Sequence, residues 1–203
     1  GKDGLYSQAM DSGLGRLKRL GIDDKLVDVA LPFDGMLTGL AADPTTPGAV
    51  MLLSGWLTPS GVWSVDADGQ VVDAGLTPKP PIDVSPFMTE RRFATAKDGT
   101  RIPYDLIYRK GLKRDGNNPT FISAYGSYGS PGYRPSFAGR TLALIEQGAI
   151  VGYAAVRGGG EYGRDWHQAA VTVNKQKTFD DVIAAGEWLV ANGWTSSRRM
   201  GLQ

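Results

Sequence analysis

A segment rich in tyrosine and glycine, residues 125–130 with the sequence YGSYGS, comes at the end of a predicted short strand. Glycine allows a substrate to approach the backbone closely, and a tyrosine hydroxyl can donate a hydrogen bond into a cleft. Donors that are positioned in advance toward a developing negative charge contribute strongly to catalysis. The segment is therefore a candidate oxyanion-binding site. Taken alone, it is better explained as a glycine-rich turn that packs two tyrosines.

A second glycine-rich segment, residues 158–163 (GGGEYG), matches the pattern Gly-x-Gly-x-x-Gly after a predicted strand. Asp180 follows at roughly the 20-residue distance of a dinucleotide-binding fingerprint. In that fingerprint the glycines open a helix directly, so that its N-terminus binds the pyrophosphate. Here the mostly irregular stretch 164–178 intervenes, and Asp180 falls in the first turn of a predicted helix, where an acid suits the helix dipole. A structural loop is therefore favoured over a cofactor site.

The residues needed for a complete nucleophilic site are missing. The sequence has no cysteine and a single histidine, His167. This composition excludes a thiol nucleophile, a disulfide, a thiolate metal site and a histidine-rich metal site. No serine stands in Gly-x-Ser-x-Gly, so a Ser–His–Asp triad cannot be assigned within these residues. His167, in a predicted long loop, is interpreted as structural.

The charge is nearly balanced overall but not along the chain. Lys and Arg number 22 and Asp and Glu 21, a formal charge of 22 − 21 = +1, which excludes a globally basic nucleic-acid binder. Residues 1–85 carry 6 basic and 11 acidic side chains, a net of −5, whereas residues 86–203 carry 16 and 10, a net of +6. No apolar run approaches the roughly 20 residues of a membrane span. The sequence indicates no compartment, and cytoplasm and periplasm both stay open.

The first part of the chain is predicted to be antiparallel β structure. Short apolar runs alternate with Asp- and Gly-rich turn signals, as in a β-meander. The predicted strands cover residues 36–40, 49–55, 62–65 and 70–73. Such a meander forms one sheet of a sandwich, barrel or propeller blade, with Trp56 and Trp63 used for packing. Four prolines at positions 78, 80, 81 and 86 then indicate a domain linker.

The second part is predicted to be α/β structure. An Asp98-Gly99 turn joins strands 91–96 and 101–108, and alternating apolar and polar residues predict that the second of these is half-buried. The later elements are strand 120–125, helix 137–147 with Ser136 as a possible N-cap, strand 149–156, helix 179–192 with Thr178 and Asp181 as a possible capping box, and strand 199–203. This alternation indicates a parallel sheet with covering helices. Chemistry in such sheets lies at the carboxyl ends of the strands, here residues 124–129 and 157–161.

Several motifs occur together in this second part: RGGGEYG at 157–163, Trp166-His167, NKQ at 174–176 and FDD at 179–181. Their combination resembles the prolyl oligopeptidase family of serine peptidases. The resemblance is specific over residues 86–203 and compatible over residues 1–85. It implies a partial α/β-hydrolase fold over residues 81–203, preceded by the C-terminal strands of a β-propeller over residues 1–80.

The resemblance also implies roles for individual residues. Tyr125 matches the family's oxyanion-hole tyrosine, and Tyr128 matches an aromatic position that lines the substrate pocket. Five residues match a loop motif near the active site, and we interpret them as ordering that loop: Arg157, Gly158, Gly159, Gly160 and Glu161. Residues 195–203 resemble the run that leads into the nucleophile strand, which the family continues with Gly-Gly-Ser-x-Gly-Gly. The serine, and later the acid and histidine of the triad, are therefore expected after Gln203.

By this resemblance the chain is expected to be a fragment of a serine-type oligopeptidase that cleaves short peptides, after proline or a basic residue, through an acyl-enzyme. Alone it is expected to be inactive and poorly stable, because an incomplete sheet exposes its edges. The expected partners are a short peptide and the remainder of the same polypeptide or a complementary chain, with no cofactor, metal, nucleic acid or membrane. Two alternatives stay open: a related α/β-hydrolase esterase or acylaminoacyl peptidase, and a non-catalytic dinucleotide-binding module.

Overall fold

The computed structural model describes residues 1–78 and 82–203. Contacts between Cα atoms divide the chain into two compact units. The first unit comprises Gly1–Ile82 and the short segment Arg134–Phe137, and the second comprises Asp83–Tyr133 and Ala138–Gln203. The boundary expected between residues 80 and 81, together with Pro80 and Pro81, lies outside the described residues.

The first unit holds two antiparallel sheets. A three-stranded sheet has the order β1-β2-β3, and a four-stranded sheet has the order β4-β5-β6-β7. The strands are β1 (Gly4–Asp11), β2 (Leu14–Gly21), β3 (Leu26–Val29), β4 (Met36–Ala41), β5 (Ala49–Ser54), β6 (Gly61–Val65) and β7 (Val71–Asp73). The four predicted strands are confirmed as the second sheet, whereas the first sheet was not predicted.

One apolar core joins the two sheets of the first unit. Leu17 of β2 and Leu37, Met51 and Leu53 of the second sheet are almost completely buried in it. The sheets approach so closely that a Cβ atom on Gly15 would lie 2.6 Å from the backbone nitrogen of Leu37. A single sheet must bury its apolar face against another element, and here each of the two sheets does so against the other.

The second unit contains a five-stranded sheet with the order β12-β10-β11-β9-β8. Its elements are β8 (Phe87–Thr95), β9 (Arg101–Arg109), β10 (Thr120–Ala124), α1 (Gly139–Glu146), β11 (Ile150–Ala154), α2 (Arg164–Gln168), α3 (Gln176–Ala191) and β12 (Met200–Leu202). Strand β10 pairs in parallel with β11 and β12, but β11 pairs antiparallel with β9, and β9 with β8. The expectation of a parallel sheet is therefore correct for three strands only. The sheet is mixed because the Asp98-Gly99 hairpin adds two antiparallel strands at one edge.

Strand β9 is more deeply buried than its alternating pattern predicted. All seven residues between Arg101 and Arg109 are buried, since β9 lies between β8 and β11 in the interior of the sheet. The polar residue Asp105 is accommodated by the Nε atom of Arg91, at 3.0 Å. A buried polar group that finds a charged partner can occupy a core strand.

Helices cover both faces of this sheet. Thr141 of α1 hydrogen-bonds to the hydroxyl of Tyr153 on one face, at 3.1 Å. On the other face Gly186 of α3 lies against Met200 and Ile122, and a Cβ atom there would be 3.0 Å from the Met200 side chain. Among residues 1–78 and 82–203 no helix has the length and apolar character that crossing a bilayer requires.

Two predicted helix starts are wrong. Helix α1 begins at Gly139 with Ala138 at its N-cap position, so Ser136 does not cap it. Helix α3 begins at Gln176, and Thr178 and Asp181 form no capping box, because both side chains bond to Arg157 instead. The end of α1 at Gly148 is confirmed, with φ of 82° at that glycine.

Candidate active site

Tyr125 follows β10 directly, at the carboxyl end of the strand. Tyr125 is 53% exposed, so it lies at the surface of the described structure. The next residue, Gly126, has φ of 61°, and a Cβ atom there would lie 2.5 Å from the Cγ2 atom of Thr178. A Cβ atom on Gly132 would lie 2.4 Å from the Cβ atom of Tyr125. Glycine is therefore required at both of these positions. The ring of Tyr125 lies where the strand ends.

Residues 125–132, the tyrosine loop, pack against residues 157–163, the glycine loop. The amide of Gly129 donates to the carbonyl of Gly158 at 3.1 Å, and the amide of Gly160 donates to the carbonyl of Ser130 at 3.2 Å. A Cβ atom would lie 2.2 Å from the carbonyl oxygen of Gly126 if added to Gly158, and 2.1 Å from that of Gly129 if added to Gly160. The two loops thus meet backbone to backbone, and only glycine allows this approach.

Arg157 opens the glycine loop and is buried between two carboxylates. Its Nη2 atom lies 2.6 Å from Oδ1 of Asp181, and its Nη1 atom lies 2.5 Å from Oδ2 of Asp98. The hydrogen bonds from Arg157 hold the pKa of Asp98 well below its usual range, and those to Asp181 and Asp98 raise the pKa of Arg157. The guanidinium therefore links the glycine loop to α3 and to the β8–β9 turn.

Glu161 holds the other end of the contact between the loops. Its side chain is almost completely buried, and its Oε1 atom accepts a hydrogen bond from the backbone amide of Tyr133 at 3.0 Å. Gly159 lies beneath this carboxylate, since a Cβ atom there would be 2.2 Å from Oε2 of Glu161. Arg157 and Glu161 both point into the protein, so their geometry suits the positioning of loops rather than contact with substrate.

His167 and Lys175 make further contacts that hold the two loops in place. His167 lies in the short helix α2, not in a long loop as predicted. Its Nδ1 atom is 2.9 Å from the carbonyl oxygen of Gly158, and because a carbonyl only accepts, Nδ1 carries the proton. The Nζ atom of Lys175 donates to the carbonyl oxygen of Gly126 and to Oγ of Ser127, the latter at 2.9 Å.

A groove of about 380 Å³ opens beside these side chains, lined among others by Ser127, Tyr128, His167 and Lys175. Tyr128 is 88% exposed and has φ of 57°, a backbone conformation that is uncommon for a bulky residue. Tyr125 lies in the same loop as Tyr128 but lines a different groove, next to Phe179 and Gln203. Lys175 was not singled out in the sequence, where its only signal was its place in the NKQ motif.

The geometry does not suit a dinucleotide. Carbonyl groups of the tyrosine loop occupy the space next to Gly158 and Gly160, which leaves no room there for a pyrophosphate. Asp180 forms an ion pair with Lys97 at 2.8 Å, and the hydrogen bond from Lys97 lowers the pKa of that carboxyl. Within the described residues no group of three or more His, Cys, Asp or Glu side chains is arranged to hold a metal ion.

Comparisons with known proteins identify related sequences and structures. Residues 135–203 match the sequence model of the prolyl oligopeptidase family. The chain is 32% identical over 199 residues to a prolyl endopeptidase from Elizabethkingia meningoseptica, covering 98% of the chain and 28% of that protein. It is 36% identical over 166 residues to dipeptidyl aminopeptidase BI from Pseudoxanthomonas mexicana, covering 80% of the chain and 23% of that protein.

A solved structure from a study of two prolyl endopeptidases and their inter-domain dynamics superposes with a TM-score of 0.88. The sequence identity is 28%, and the match covers 99% of this chain and 30% of the solved chain. The chain thus spans less than a third of the length of the relatives it matches. Sequence and fold together place the chain in the prolyl oligopeptidase family of serine peptidases.

Proposed function

We propose that this chain forms part of a serine oligopeptidase that hydrolyses peptide bonds in short peptides, with Tyr125 as a donor to the oxyanion. The observation that carries the proposal is the position of Tyr125. It follows the carboxyl end of a parallel strand, with its side chain half-exposed and its loop held by backbone contacts with the glycine loop. A donor that is held in place before the reaction needs no reorganisation when negative charge develops.

The proposed reaction is acyl transfer. A serine attacks the peptide carbonyl while a histidine accepts its proton, which gives a tetrahedral oxyanion. The hydroxyl of Tyr125, with a backbone amide beside the serine, donates to that oxygen. Collapse releases the amine, which takes the proton from histidine, and water then hydrolyses the acyl-enzyme in the same way. We propose that the triad lies outside these 203 residues, which contain no Gly-x-Ser-x-Gly and cover 28% of the Elizabethkingia relative.

Other residues would support this reaction without taking part in it. Tyr128 is the most exposed side chain of the tyrosine loop, and we assign it to contact with the substrate. Arg157, Glu161 and the glycines of the segment 158–160 keep the two loops together through the contacts described above. The partners would be a short peptide and the polypeptide that completes the site.

The same proposal extends to the architecture. Three parallel strands with helices on both faces suit the first half of an α/β-hydrolase domain over residues 81–203. The four-stranded meander β4–β7 has the form of one propeller blade, which suits the terminal strands of a β-propeller over residues 1–80. The three-stranded sheet β1–β3 would belong to a neighbouring blade.

The preferred bond is proposed from the names of the relatives. They include prolyl endopeptidases, so cleavage after proline is the first choice to test, and cleavage after a basic residue is the alternative that the family resemblance implies. A related esterase or acylaminoacyl peptidase would use the same oxyanion donor. Matched chromogenic amide, ester and N-acetylated peptide substrates separate these activities, and a pure esterase would leave the amides uncleaved.

Replacement of Tyr125 by phenylalanine in the active protein that carries this sequence tests the proposal. We expect Tyr125→Phe to lower kcat by roughly 100-fold or more, because it removes one oxyanion donor. The control is Tyr162→Phe, which removes a hydroxyl from a tyrosine that packs on Trp166 with ring centroids 4.8 Å apart. Wild-type kcat in Tyr125→Phe would overturn the role of Tyr125. The isolated 203-residue chain is expected to show no turnover.

A further inference from the structure

Lys175 lies immediately before α3, yet its ammonium group reaches the loop that carries Tyr125. The Nζ atom donates to the carbonyl oxygen of Gly126 and to Oγ of Ser127, the first two residues after the tyrosine. Both bonds are charge-assisted, which makes them stronger than bonds between neutral groups. A cation from a distant part of the sequence therefore holds the peptide group between Gly126 and Ser127, one peptide beyond Tyr125.

The carbonyl group of Gly126 is confined from the other side as well. It packs against Gly158, where an added Cβ atom would lie 2.2 Å from the oxygen. Gly126 itself has φ of 61°, a conformation that most residues avoid. Its peptide group is thus held in one orientation between the lysine and the glycine loop.

We propose that Lys175 is a positioning residue, which fixes the peptide group between Gly126 and Ser127 and thereby aims the hydroxyl of Tyr125 at the oxyanion. This inference rests on the proposed function of Tyr125. Two of the three N–H donors of its ammonium group are used in bonds to the tyrosine loop, so in this proposal Lys175 acts on the loop and not on the substrate. Its removal would allow the loop to shift, and small shifts of a catalytic group reduce the rate of the chemical step more than the binding of substrate.

The test compares Lys175→Met, Lys175→Arg and Lys177→Met in the active protein that carries this sequence, with a chromogenic peptide as substrate. Lys175→Met is expected to lower kcat by roughly 10- to 100-fold, with KM little changed. Lys175→Arg keeps the charge and the donors and should recover part of the lost kcat. Lys177→Met removes a lysine two positions away, outside the loop contacts, and should match the wild type.

A second comparison shows whether Lys175 acts through Tyr125. In the Tyr125→Phe background, Lys175→Met should lower kcat much less than in the wild type, because both changes remove the same interaction. An equal fall in both backgrounds would show a general structural effect and would overturn the inference. Wild-type kcat in Lys175→Met would also overturn it, while a low kcat in Tyr125→Phe would leave the proposed function intact.

One further outcome and one substitute variant complete the test. Wild-type kcat in Tyr125→Phe would overturn the proposed function, and the inference with it. If Lys175→Met does not fold, Ser127→Ala replaces it, since this change removes one acceptor of the ammonium group and nothing else. Ser127→Ala should lower kcat by a smaller factor than the lysine variant and leave KM unchanged. Wild-type kcat in Ser127→Ala would then overturn the inference.

Discussion

Nη2 of Arg157 lies 2.6 Å from Oδ1 of Asp181, and both side chains are almost completely buried. The backbone amide of Arg157 donates to the same carboxylate, at 2.9 Å. These bonds tie the start of the glycine loop to α3. The glycine loop in turn packs on the tyrosine loop, so an ion pair between residues 24 positions apart in the chain anchors the loop that contacts the one carrying Tyr125.

Loss of this ion pair should destabilise the fold. Arg157→Met leaves the Asp181 carboxylate buried without its charged partner, although the backbone amide still donates to it, and breaking a buried pair in this way costs about 3–5 kcal/mol of the free energy of unfolding. Denaturant unfolding followed by tryptophan fluorescence measures the change in the protein that carries this sequence. The exposed Arg198→Met serves as the control. An Arg157→Met protein as stable as the control would show that the pair adds nothing.

The free energy of unfolding should depend on pH through the carboxyl group of Asp98. Its pKa is lower in the folded state, so the carboxylate stabilises the fold above the pKa it has when unfolded, and that stabilisation is lost as the pH falls. We expect the free energy of unfolding to start to decrease at about pH 5, just above the usual pKa of Asp, and to go on decreasing below about pH 3, because the pKa of Asp98 in the folded state lies well below that range. Asp98→Asn should be less stable at neutral pH and should show a flatter decrease. The effect is moderate, since the Asp98 side chain is 38% exposed.

The matched control for this titration is Asp165→Asn, which changes an exposed carboxyl in α2. Its pH dependence should follow that of the wild type. If Asp98→Asn showed the same slope as Asp165→Asn, the link between Asp98 and Arg157 would not contribute to the acid sensitivity.

Because the two loops approach so closely, adding a methyl group to a glycine between them should lower both stability and kcat. Gly160→Ala would place a Cβ atom 2.1 Å from the carbonyl oxygen of Gly129. Backbone cannot give way as a side chain can, so we expect a loss of about 1–3 kcal/mol in stability together with a lower kcat. Gly139→Ala, where nothing lies within 4 Å, should be neutral or slightly stabilising because it adds alanine to a helix. Equal behaviour of the two alanine variants in unfolding and turnover would contradict the contact.

His167 is predicted to be structural rather than the base of the reaction. Its Nδ1 atom donates to Gly158 and so holds the glycine loop. His167→Asn, whose amide can make a similar bond, should keep at least roughly a tenth of the wild-type kcat, whereas loss of a triad histidine costs far more. The pH–rate profile should keep its shape. Loss of the histidine titration from that profile would identify His167 as the base after all.

Local signals predicted most of the elements. The turn at Asp98-Gly99 and the helix end at Gly148 are set by residues next to each other in the chain, and both are present. Strands β1 to β3 escaped prediction because they lack an alternating buried face. In β1, for example, Tyr6 is the single buried residue. The tertiary structure, not the local pattern, makes these segments strands.

The site could be predicted only in part, for the same physical reason. The place of Tyr125 at the carboxyl end of a strand was predicted, because a strand end is a local feature of the sequence, whereas its role as oxyanion donor stays a prediction from the family resemblance. The true partners of Asp181 and Lys175 could not be found, since Arg157 and Gly126 lie 24 and 49 residues away along the chain. Contacts over such separations leave no periodic signal. The capping box assigned to Asp181 was therefore a reasonable local interpretation that a distant arginine overrides.

The most direct measurement of the role of Tyr125 uses a peptide aldehyde, which forms a tetrahedral adduct with a serine nucleophile, and the matching peptide alcohol, which does not. In Tyr125→Phe, the inhibition constant of the aldehyde should rise by the same factor by which kcat/KM falls, roughly 100-fold, because both depend on the oxyanion donor. The inhibition constant of the alcohol should stay unchanged. Wild-type affinity of Tyr125→Phe for the aldehyde would contradict the assignment of Tyr125 to the oxyanion.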